Sequence, residues 1–198
     1  MPRKTILFLF LLVMMFLIAG CGAKKAAVKK TEPQKEPPAS IAVLPVINQV
    51  ADPEIGRILR QRLIDELYFK GYPRISAGDI DARLAGIYGS RDFSGEGVSP
   101  AVAGEVTGAE AVLYCKLEEM RTSYRFMYAP TQVTVFLELR SAQTGETIWK
   151  AQHGVTKRNF GFTRRELERK SFQDYEAAIG KILEKVMKTF PEGPGAVG

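Results

Sequence analysis

The chain has 198 residues, 45% of them hydrophobic and 25% charged, with 28 Lys and Arg against 22 Asp and Glu for a net charge of +6. That length allows one ordinary domain or two small ones, and that composition excludes a wholly disordered or collagen-like chain. Two cysteines cannot build a disulfide scaffold, a single histidine excludes a multi-histidine metal site within one chain, and the positive excess points to nucleic acid or a membrane.

Residues 1–20 read as an export signal. Arg3 and Lys4 form its positive end, and Ile6 to Ala19 is an unbroken apolar run of 14 residues. Such a run has the length of a signal-peptide core and is shorter than the ~20 residues a spanning helix needs. It ends in Leu17-Ile18-Ala19-Gly20-Cys21, which resembles the lipobox of bacterial lipoproteins. The resemblance implies cleavage before Cys21, a diacylglycerol on its thiol, an acyl chain such as palmitate on its new amino group, and no other cofactor. Two or more chains hold a bilayer firmly where one binds marginally. Gly22 stands where an aspartate would signal retention in an inner membrane. The expected location is therefore the outer membrane, facing the periplasm, or the cell membrane in a source without an outer one.

Residues 21–40 comprise that cysteine and a Lys/Pro-rich stretch whose one large apolar side chain is Val28. It cannot bury enough surface to offset ordering and is expected to be a disordered tether. Signal and tether carry most of the excess charge, leaving 21 basic and 20 acidic side chains in residues 41–198. The domain itself is nearly neutral, and nucleic acid is not expected as a partner.

The folded domain is expected over residues 41–190, with 191–198 a flexible Pro/Gly tail. Ile41 to Val46 is apolar without alternation, the pattern of a strand buried on both faces, ending near Pro45. Asp52 is a candidate N-cap and Pro53 a first helical residue. From there Ile55, Leu59, Leu63 and Leu67 recur every fourth position, with Arg57, Arg60 and Arg62 spread around the exposed sides until Gly71 ends the helix. Tyr72 to Ser76 reads as a second strand and Asp79 to Tyr88 as a short helix. A glycine-rich loop follows to Val98, and then a helix from Pro100 to Thr107 that stops at Gly108. Strands are expected at Ala111–Leu117, Val133–Arg140 and Thr147–Val155, the last two joined by a tight turn at Gln143-Thr144-Gly145. A closing helix places Tyr175, Ile179, Ile182, Leu183, Val186 and Phe190 on one side. The order β-α-β-α-α-β-β-β-α makes a single α/β domain, a mixed sheet with helices packed on it.

Three stretches together carry a family resemblance: Ile41 to Gln49, Gly108 to Tyr114 with Thr122-Ser123-Tyr124, and Leu137 to Trp149. In this order after a lipobox, they resemble a family of bacterial lipoproteins of unknown function, related to curli-type assembly lipoproteins and to the amino-terminal domain of the Tol-system β-propeller protein. The resemblance covers roughly residues 41–155 and brings no catalytic residues. It implies a periplasm-facing envelope component and is compatible with a homo-oligomer.

Catalytic signatures are absent: there is no G-x-S-x-G elbow, no phosphate loop and no H-E-x-x-H helix. Cys115 could act as a nucleophile if it met His153 in space, but it shares a strand face with Leu113 and Leu117 and reads as a core thiol. Glu118-Glu119 could be an acid/base pair, yet neighbours on a regular strand point to opposite faces. No catalytic and no metal-binding residue is assigned. Two stretches suit binding instead. Arg121 to Tyr128 crowds Tyr124, Phe126, Met127 and Tyr128 into a short connection, residue types favoured at interface centres. Lys157 to Lys170, with Arg164 and Arg165, has a local excess of four positive charges that suits an anionic lipid surface or an acidic partner. The expected role is a non-enzymatic, membrane-anchored protein-interaction component of envelope or surface-structure assembly. The alternatives are an accessory regulator of a peptidoglycan synthase or transporter and, third, an envelope enzyme.

Overall fold

The computed structural model describes residues 37–49, 53–89 and 95–196. The export signal, Cys21, the tether up to residue 36, the Asp52 cap and the loop tip at 90–94 lie outside the described residues. β1 (Ile41–Val43) is buried on both faces, as its unalternating apolar run requires. Pro45, without an N–H, breaks the strand. Leu44 still donates to the Leu113 carbonyl, the Pro45 carbonyl turns to accept from Gly95, and β2 (Ile47–Asn48) resumes the pairing.

α1 (Pro53–Phe69) buries Ile55, Leu59, Leu63 and Leu67, the predicted stripe. Arg60, expected on an exposed side, is buried instead. Its Nε and Nη2 donate to the Val43 carbonyl at 3.0 and 2.9 Å, and its Nη1 to Asp81 at 2.7 Å. The strand expected at Tyr72–Ser76 does not form. Pro73 removes a ladder donor, and the buried Tyr72 turns its hydroxyl to the carbonyls of Pro191 and Glu192. Those carbonyls belong to the segment expected as a flexible tail. It lies along the end of α1 instead, with Gly193 donating to Lys70 and Gly195 to Gly71. Gly71, at φ +86°, permits this approach, because a β-carbon there would overlap the backbone nitrogen of Ala196.

α2 (Ala77–Tyr88) starts from Ser76, whose hydroxyl caps Asp79 N–H. α3 (Pro100–Thr107) follows a short 3-10 turn at Gly95–Gly97 and ends at left-handed Gly108 (φ +74°), as its Pro and Gly imply. β3 (Ala111–Thr122), β4 (Tyr128–Ser141) and β5 (Thr147–Phe160) are all longer than expected. They continue through polar residues that still point inward, such as Thr131 and Asn159, both buried. α4 (Arg164–Met187) closes the fold.

The sheet runs β1-β3-β4-β5, with β1 and β2 both parallel to β3 and the other pairings antiparallel. On one face α1 and α4 cover Leu113, Cys115, Leu117, Val135, Leu137 and Leu139. On the other, α2 and α3 cover Ala42, Leu44 and Val112 beside Ile80, Leu84 and Ala103. The class is the expected mixed α/β domain, with three layers at the β1–β3 side. Among the described residues no helix covers the second face of β4 and β5.

Candidate interaction surface

β3 and β4 run to the amino-terminal end of α4 and turn back through a tight bend. Arg125 N–H donates to the Tyr128 carbonyl at 2.8 Å and Tyr128 returns the bond at 3.1 Å, so Phe126 and Met127 form the two-residue tip. Met127 sits at φ +57°, the one non-glycine residue among those described that is left-handed. The conformation costs about 1–2 kcal/mol and throws Phe126 outward, 93% exposed.

The second segment reaches the same place through register. Tyr128 pairs with Phe160, their rings 5.0 Å apart, and Gly161 N–H donates to the Met127 carbonyl. Thr163 then caps α4 by accepting from Glu166 N–H at 3.2 Å, while the Glu166 carboxylate accepts from Phe162 N–H at 3.2 Å and from Lys170. The Lys170 ammonium, followed by the Phe162 bond, holds the Glu166 carboxyl below the usual range. Arg164 bonds Glu168 at 3.0 Å and lays its guanidinium over the Tyr124 ring at 5.3 Å. Beneath, Thr122 Oγ1 shares hydrogen bonds with Thr131 and with the Tyr175 hydroxyl, tying both strands to α4.

Two segments separated by about thirty residues thus build one end of the molecule. Phe126, Phe162 (86% exposed) and Phe160 (66%) project from it, with Tyr124 and Met127 partly covered. Between them is a notch of about 270 Å³ floored by Leu167. Tyr124, Phe126, Met127 and Arg164 line that notch, Arg165 is exposed beside it, and Tyr128 is half-buried against Phe160. Sequence reasoning missed Phe160 and Phe162. The signal was present: the alternation of Val155, Lys157 and Asn159 with Thr156, Arg158 and Phe160 continues the strand, and Thr163-x-x-Glu166 marks a helix start directly after it.

The remaining candidates are structural. Cys115 is fully buried, and desolvation pushes its thiol up. It stands opposite Leu137, which stands opposite Ala151, so His153 lies two strands away and two positions along. Glu118 and Glu119, expected on opposite faces, share the open face, because a bulge after Leu117 adds one residue and returns Glu119 to register with Thr134. Gln152 holds Glu118 and Arg121 holds Glu119. The described residues contain no group of three or more acidic, Cys or His side chains placed to hold a metal, and no helix long and apolar enough to cross a membrane.

Fold and surface together define a single α/β domain with a sealed core and an aromatic and basic end formed by residues 124–128 and 160–165. The chain belongs to the GNA1162-like lipoprotein family, whose family model matches residues 28–189. Its fold is shared with the lipoprotein GNA1162 of Neisseria meningitidis, 22% identical, at a TM-score of 0.55 over 74% of this chain and 99% of that one. The PelC dodecamer of Paraburkholderia phytofirmans is 17% identical with a TM-score of 0.46, covering 75% and 87% of the two chains. The LpoB C-terminal domain of Escherichia coli is 21% identical with a TM-score of 0.43, covering 61% and 84%. No curated protein sequence matches this chain.

Proposed function

We propose that this lipoprotein is exported, acylated at Cys21 and held at the outer membrane facing the periplasm, where it works without catalysis by binding another envelope protein. The observation that carries the reading is the convergence of residues 124–128 and 160–165 into one exposed patch. Three large rings lie more than half exposed at one end of a small domain, an arrangement that marks a contact site on a soluble fold. Membership of a lipoprotein family and the Leu-Ile-Ala-Gly-Cys21 sequence support the anchor. The burial of Cys115 and the distance in register from it to His153 weigh against the obvious enzymatic alternative.

A photo-crosslinking amino acid placed at Phe126 or Phe162 in growing cells should give a discrete adduct containing an envelope protein, while one at Lys181 on the outer side of α4 should not. Adducts with lipid alone, or the same adducts from Lys181, would end this reading. The anchor has its own check. Cells fed labelled palmitate should label the protein, and Cys21→Ala should abolish the label.

A further inference from the structure

We infer that the patch takes an acidic protein segment carrying an apolar side chain. The inference rests on the reading of this patch as a contact surface. The patch lies far from the place where the chain enters the fold. Ser40 accepts from Ala111 N–H and its hydroxyl from Glu110 N–H, and Ala39 donates to the Glu110 carboxylate, so the described chain begins at the foot of β3. The patch sits past Thr122 at the other end of that strand. Eleven residue steps at roughly 3.3 Å put about 36 Å between them.

Charge decides what occupies the patch. Around the rings, Glu168 and Glu166 are already engaged by Arg164 and Lys170. Arg125, Arg158 and Arg165 are exposed and form no ion pair with an acidic side chain among the described residues, while Arg169 adds its charge to that of Lys170 beside Glu166. A second copy docking patch to patch would set these arginines against their own kind, which opposes self-association. An acidic segment would pair with them, and one apolar side chain would enter the notch above Leu167.

The test uses the full acylated chain in nanodiscs of phosphatidylethanolamine and phosphatidylglycerol at three to one. The probes are a fluorescent peptide of alternating Glu and Leu and its Lys–Leu counterpart. The Glu–Leu peptide should bind, weaken as salt rises, and lose at least tenfold in affinity with Arg125→Glu/Arg165→Glu and with Phe126→Ser, but not with Lys181→Glu. A bimane on Phe126→Cys should escape quenching by nitroxide-bearing lipids. Equal binding of both peptides, or indifference to charge reversal, would overturn the acidic partner. Quenching by lipid would assign the surface to the bilayer and overturn the protein partner. If the crosslinker at Phe126 captures an envelope protein while the Glu–Leu peptide fails to bind, the contact surface stands and this chemistry falls. If the crosslinker captures none, the surface reading itself falls.

Discussion

Desolvation of Cys115 pushes its thiol above the ordinary 9.0, and burial raises the Tyr72 and Tyr114 phenols from 10.0 to about 12, Glu192 adding to the effect at Tyr72. All three are neutral acids whose folded value lies above the unfolded one. Below about pH 9 both states keep the proton and the stability is fully present. Above it the unfolded chain ionises first, and stability is lost as pH rises through the folded values. The melting temperature should therefore fall steadily between pH 9 and 12, and less steeply in Tyr72→Phe. An unchanged slope in that variant would show that Tyr72 is not among the groups responsible. Arg60 offers a second residue-scale test. Its guanidinium spans the Val43 carbonyl and Asp81 in one fork, so Arg60→Met leaves a buried acceptor bare and should cost about 2–3 kcal/mol. Lysine, with one ammonium, cannot span both partners and should recover less than half of that in denaturant titrations.

Between α1 and the C-terminal segment the constraint is steric. Gly71→Ala would place a β-carbon in the backbone of Gly195 and Ala196 and force a left-handed alanine. In the full chain it should cost more than the ~1–2 kcal/mol of the backbone conformation alone. Deleting residues 191–198 should reduce the added cost to that strain, and equal costs with and without the segment would show that it does not press on Gly71. This segment also shows where sequence reading stops. The helix from Pro53, the one between Pro100 and Gly108 and the turn at Gly145 were legible, because each rests on local chemistry: a four-residue apolar repeat, a proline start, a glycine free to take positive φ. The error at Tyr72–Ser76 and the unforeseen anchoring of Pro191–Ala196 are one event, since Tyr72 is satisfied by a segment 120 residues away. Neither the bulge after Leu117 nor the pairing of Tyr128 with Phe160 has a local signature. Each half of the patch was visible as a cluster of residue types, but their meeting is a property of register.

The folded unit has an entry end and a contact end at opposite ends of β3, and fifteen residues lie between the proposed anchor and the described chain. If residues 22–36 act through reach alone, what matters is their number, at roughly 3.4 Å of limiting extension each. Removing ten should withdraw roughly 34 Å from the greatest distance at which Phe126 can meet a partner. The yield of the Phe126 crosslink should then fall stepwise as residues are removed, with folding and palmitate labelling unchanged. Replacing the removed residues with the same number of Gly and Ser should restore the yield, since such linkers span comparable distances without specific contacts. Full yield at every length would show that the partner comes to the domain wherever it lies. Failure of the Gly/Ser replacement at full length would make the lysines and Pro33 of residues 24–35 a binding element in their own right, and the tether would no longer be only a spacer.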